Sequence, residues 1–113
     1  MAAQLVDLHL HSTFSDGRYT PTMLVDEAVA KGISVIAITD HDSWNCMAEA
    51  REAAKRYGGR IRVLTGVELG TQYEDDAVHI LGYHVSMDCE ALHKKMDEMR
   101  HAREHRLLSL IHI

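Results

Sequence analysis

An α/β fold with a largely parallel sheet is predicted by three observations on this 113-residue chain. Strand-like and helix-like stretches alternate along most of its length. The run Ile33 to Ile38 is β-branched and apolar without alternation, as in a strand covered on both faces. Histidines and carboxylates fall at the ends of successive strand patterns, where ligands gather in such folds.

The first element is "LVDLHLH", Leu5 to His11, which reads as a strand. Side chains of an extended chain alternate between faces, so His9 and His11 share one face while Val6, Leu8 and Leu10 take the other and are expected to pack. Ser15-Asp16-Gly17 then makes a turn. Thr20-Pro21 has the form of an N-cap followed by proline at the first helical position, with Leu24, Ala28 and Val29 at helical spacing and Gly32 as the stop. The second strand ends in "ITDHD". A second helix is predicted from Asp42 or Ser43 to Gly58-Gly59, a third strand over Arg60 to Leu69, a polar loop over Gly70 to Asp76, and a fourth strand over Ala77 to Val85. From Asp88 to about Leu110 the pattern is helical, with Leu92, Met96, Met99, Leu107 and Leu110 on one side. The order is β-α-β-α-β-β-α, and the length suits a single domain over 1–113.

Composition narrows the function. The net charge of −5 argues against gripping long duplex nucleic acid through its phosphates, while small anionic substrates stay open because bound cations supply positive charge. No window is apolar enough to span a membrane and the N-terminus lacks an export signal, so a cytoplasmic setting is expected. Cys46 and Cys89 form no C-x-x-C pair and suit a reducing compartment.

Nine histidines are many for this length, and their positions carry the chemistry. His9 and His11 end the first strand, Asp16 lies in its loop, His41 follows the second, Glu68 ends the third and His79 sits in the fourth. Neutral imidazole and carboxylate are common ligands for Zn, Mn and Fe(II), and a carboxylate can bridge two ions. Asp7, on the face of His9, is either an acceptor for a histidine ring or a polar residue at a strand start. By contrast His93, His101 and His105 lie among Lys94, Lys95, Arg100, Arg103 and Arg106, and read as a solvated helix face. Met96 and Met99 read as core, Trp44 as packing near its helix start, and Arg18 as an exposed side chain.

The motifs "DLHLHSTFSDG", "AITDHD", "GVEL" and "VHILGY", in this order from Asp7 to Tyr83, resemble the N-terminal motifs of the polymerase and histidinol phosphatase (PHP) family of metal-dependent phosphoesterases. The resemblance implies the N-terminal portion of a distorted (β/α)7, TIM-like barrel with two or three divalent ions. It places His9 and His11 on a first ion, Glu68 between the first and second, His79 on the second, and Asp16 and His41 on a third. It implies hydrolysis of phosphate esters, with small nucleotides or short oligonucleotides as substrates, and Glu68, His41 and Asp16 acting through metal-activated water. Family members add a further histidine and a late Asp-x-His pair, which are missing after His79. Two alternatives therefore accompany this reading: a non-catalytic metal-binding module holding one ion, and completion by a second copy through an exposed sheet edge or the last helix.

Overall fold

The computed structural model describes residues 4–74 and 76–111, with side chains except at 72, 73, 103 and 105–111. Seven elements follow in chain order: β1 (Leu5–Leu10), α1 (Pro21–Ala30), β2 (Ile33–Ile38), α2 (Met47–Lys55), β3 (Arg62–Tyr73), β4 (Asp76–Tyr83) and α3 (Glu90–Ile111). One four-stranded sheet runs β1-β2-β3-β4. The first three strands are parallel and β4 returns antiparallel to β3. The β-α-β-α-β-β-α order predicted from the sequence is the order observed.

The packing follows from local chemistry. Thr20 caps α1 with its side chain, which accepts from the Met23 N–H, and Pro21 stands at the start of the helix. Helix α1 turns Leu24, Val25 and Ala28 inward; α2 contributes Met47, Ala50 and Ala53. Ile36, Ala37 and Ile38 are fully buried, as the unbroken apolar run of β2 predicts for a central strand. From α3, Met96 is buried in the same core, Leu92 and Met99 are half-buried, and Trp44 packs edge-on to His93 with ring centroids 4.7 Å apart. The outward-facing ring of His93 also reaches the Met87 carbonyl at 2.7 Å.

Several boundaries differ from the sequence-based expectation. Helix α2 begins at Met47 because Asp42 adopts φ +50° and its carboxylate accepts from the Gly70 N–H, which carries the chain across the sheet end before the helix starts. Residues 70–73 are strand rather than loop: their backbone pairs with β4, from Gly70 opposite His79 to Tyr73 opposite Asp76. Polarity there reflects a hairpin with both faces wet, not a lack of hydrogen-bonding order. Of the β1 face expected to pack, Leu10 packs against the core while Val6 and Leu8 are exposed, as is Leu5 on the other face. β1 is the edge of the sheet, paired only with β2. Of the helix face read as solvated, His93 and His101 are exposed; the His105, Leu107 and Leu110 side chains and His112 lie outside the described residues.

The sheet curls. The Tyr83 hydroxyl of β4 donates to the Leu8 carbonyl of β1 at 2.6 Å, joining the two outer strands beside the start of the histidine pair. Both cysteines carry free thiols, Cys46 buried and Cys89 exposed, and no helix of the described residues is long and apolar enough to cross a membrane.

Candidate metal centre

All six residues singled out from the sequence meet at the carboxyl ends of the parallel strands. His9 and His11 share a face, as the strand alternation predicts, with their Nε2 atoms 3.2 Å apart. His11 is just past the end of β1, and its ring lies 4.6 Å from that of His41. His41 follows β2 and forms a single parallel bridge to Glu68, with Asp42 N–H donating to the Glu68 carbonyl and Glu68 N–H to the Asp40 carbonyl. The backbone thereby sets the imidazole of His41 beside the carboxylate of Glu68.

Glu68 is the hub. Its side chain is 6% exposed; Oε1 lies 2.8 Å from His9 Nε2 and 3.6 Å from His11 Nε2, while Oε2 lies 2.9 Å from His41 Nδ1 and 3.2 Å from His79 Nδ1. Among the described residues, its ion-pair partners are four imidazoles, from the ends of β1 and β2 and from β4 of the hairpin. His79 reaches it from β4 because the antiparallel register sets Glu68 opposite Leu81, two residues further on. Burial works to raise the Glu68 pKa, but the His9 hydrogen bond and the charges of His41, His11 and His79 outweigh it and hold the carboxyl below its ordinary 4.5.

Asp16 approaches from the β1–α1 loop. Its Oδ2 is 3.0 Å from His41 Nε2 and its Oδ1 is 3.2 Å from His11 Nδ1. Desolvation works to raise its pKa, but the His41 hydrogen bond and the charges of His41 and His11 together outweigh it, so the pKa lies below the usual 3.8. Ser15, Asp16, His41 and His79 line an open cleft of ≈ 400 Å³. The loop is drawn tight at Gly17, where a Cβ would come 2.0 Å from the His11 carbonyl oxygen.

Three overlapping groups result: His9, His11 and Glu68; His11, Asp16 and His41; His41, Glu68 and His79. Within each, one ligand atom per residue lies within 4.8 Å of the others. Imidazole nitrogens with carboxylate oxygens, converging with no lysine or arginine paired to Glu68 among the described residues, are a donor set that fits divalent metal ions.

Asp7 does not serve a ring; its carboxylate accepts from the His9 backbone N–H at 3.3 Å. The carboxylate behind the site is instead Asp40, fully buried and bonded to Ser12 and Ser15. The available signal was a charged residue at the end of an otherwise apolar buried strand. Cys46 is packed against it; burial first, and then the Asp40 charge, raises that thiol's pKa far above the ordinary range, leaving a protonated, inert sulfhydryl. Arg18 is exposed.

A curled, mainly parallel sheet with histidines and carboxylates gathered at one rim defines an α/β protein with a site suited to divalent cations. The chain belongs to the PHP domain family, whose model matches residues 7–112. It is 44% identical over 90 residues to a 5'-3' exoribonuclease of Haemophilus influenzae, covering 80% of this chain and 31% of that protein. To a 3',5'-nucleoside bisphosphate phosphatase of Chromobacterium violaceum it is 40% identical over 98 residues, covering 87% and 34%. The crystal structure of a proposed metal-dependent phosphoesterase from Bifidobacterium adolescentis superposes with a TM-score of 0.86 at 36% identity, over 94% of this chain and 36% of that one. The four strands thus correspond to part of a TIM-like PHP barrel, and the chain spans about a third of the length of these curated relatives.

Proposed function

We propose that this chain carries the N-terminal metal-binding rim of a phosphoesterase that hydrolyses phosphate esters of nucleotides or short oligonucleotides. The observation that carries the proposal is the convergence of six donors in three groups around one buried carboxylate. His9 and His11 would hold one ion together with Glu68, whose other oxygen would serve a second ion with His79; Asp16 and His41 would hold a third. Zn, Mn and Fe(II) all suit these ligands. When bound, such ions supply Lewis acidity toward phosphoryl oxygens and lower the pKa of a coordinated water.

The chain's own residues set the conditions for that chemistry. Glu68 stays ionised at neutral pH because its imidazole neighbours outweigh its burial. Asp16 likewise offers an anionic oxygen to the cleft, with His41 behind it. The cleft opens to solvent at Asp16 and His79, which suits a small phosphorylated substrate better than a duplex. A reducing, cytoplasmic setting agrees with the two free thiols.

Metal counts and phosphate release on one sample test this reading. The protein is loaded with Mn(II), Zn(II) or Fe(II), freed of excess ion, and offered nucleoside 3',5'-bisphosphates and short oligoribonucleotides. Bound metal with phosphate or mononucleotide release is the expected result. Absence of stoichiometric metal with any of the three ions would overturn it. Bound metal without turnover would select the non-catalytic module instead.

A further inference from the structure

Behind the rim lies a carboxylate that the proposed metal chemistry does not use. Asp40 is completely buried and, among the described residues, has no ion-pair partner. Besides the Cys46 thiol packed against it, its oxygens hold one loop: Oδ1 accepts from the Ser12 backbone N–H at 2.6 Å and from the Ser15 hydroxyl at 2.8 Å, and Oδ2 accepts from the Ser12 hydroxyl at 2.5 Å. Ser12 and Ser15 flank the stretch between His11 and Asp16. The same segment is closed by Ser15 N–H and Gly17 N–H donating to the Ser12 carbonyl at 3.0 and 2.9 Å.

We propose that Asp40 is a positioning residue that, through Ser15, fixes both the loop and the tautomer of His11. The Ser15 hydroxyl donates to Asp40 Oδ1, so its single proton is committed there. Ser15 Oγ can then only accept from His11 Nδ1, 3.4 Å away, and the other group at Nδ1 is the Asp16 carboxylate oxygen at 3.2 Å, also an acceptor. With two acceptors at Nδ1, the proton of the neutral ring resides there. Nε2 keeps its lone pair and faces His9 Nε2 and Glu68 Oε1, which is the protonation a ligating nitrogen requires. The inference deepens the metal reading, but its first half concerns the metal-free protein and stands or falls separately.

Two measurements on wild type, Asp40→Ala, Ser15→Ala and Ser15→Thr test it. Long-range 1H–15N spectra of the metal-free proteins, at a pH where the rings are neutral, are expected to show His11 protonated at Nδ1 in wild type and Ser15→Thr. Asp40→Ala frees the Ser15 proton to turn toward Nδ1, and Ser15→Ala leaves only exposed Asp16 to hold it, so the Nε2–H tautomer should rise in both. Zn(II) titration should show affinity of the folded fraction reduced roughly 10–100-fold in the two alanine variants and restored by threonine. An unchanged His11 tautomer in Ser15→Ala overturns the proposal, as does Zn(II) affinity equal to wild type in that variant; Ser15→Ala decides the matter if Asp40→Ala does not fold. A wild type that shows the Nδ1–H tautomer but binds no Zn(II) refutes the metal reading and leaves the positioning role standing.

Discussion

Replacing Gly17 by alanine should damage the site through the backbone alone. An added Cβ would lie 2.0 Å from the His11 carbonyl oxygen, 2.5 Å from its carbon and 2.9 Å from the Ser12 nitrogen, where ordinary contact begins at 3.4 Å. All three neighbours are backbone atoms, so no rotamer change relieves the clash; the loop must open. Opening breaks the Gly17-to-Ser12 hydrogen bond and strains the Ser15-to-Ser12 one, each worth about 1 kcal/mol net, and overpacking adds about 1–3 kcal/mol. The expected destabilisation is about 2–5 kcal/mol, read from urea melts of the metal-free protein. Because the same loop carries Asp16 and follows directly on His11, Zn(II) affinity of the folded fraction should also fall by roughly 10–100-fold in calorimetric titration. Gly59→Ala is the control: a Cβ there meets nothing within 4 Å, and stability should hold or rise by roughly 0.4–1 kcal/mol. If Gly17→Ala matched the parent in both stability and Zn(II) affinity, the account of the loop as a tightly closed support for His11 and Asp16 would be wrong.

Glu68→Gln keeps the shape of the hub but turns one of its two oxygens into a donor, so two of the three donor groups are affected; Zn(II) binding should weaken by more than the roughly 100-fold typical of losing an outer partner, as measured by competition with a chromogenic chelator. In the metal-free protein, the folded-state pKa of Glu68 lies below its ordinary 4.5, so its contribution to stability is complete above pH 4.5 and is lost as pH falls through the depressed folded value. Urea midpoints of wild type should therefore drop more steeply in that acid range than those of Glu68→Gln; parallel pH profiles would contradict the shift. Met96→Ala removes a side chain that is 1% exposed and anchors α3 to the core, and should cost about 2–5 kcal/mol in the same melts while leaving Zn(II) affinity of the folded fraction near wild type.

Much of the fold was legible because local rules and tertiary demands agree. The Thr20-Pro21 start, the β-branched run of β2 and the periodicity of α1 each point the same way as the final packing. The boundary of α2 was not legible, because the Asp42 carboxylate is engaged by Gly70, a residue 28 positions away. Nor was the continuation of β3 past Leu69, since a hairpin wet on both faces leaves no apolar alternation to read. His93 is exposed, as a solvated helix face predicts, but its edge contact with Trp44 from the chain before α2 was not legible in the sequence.

For the site, residue types and spacing were enough to select His9, His11, Asp16, His41, Glu68 and His79, because strand ends in parallel sheets lie on one rim and imidazole with carboxylate is a recognisable donor set. Which atoms meet was decided only in three dimensions. Glu68 became the hub because the curl of the sheet and the antiparallel return of β4 bring four imidazoles to its two oxygens. Asp40 rather than Asp7 became the carboxylate behind the loop for a related reason: alternation along a strand tells which residues share a face, but not which distant hydroxyl or ring that face will meet.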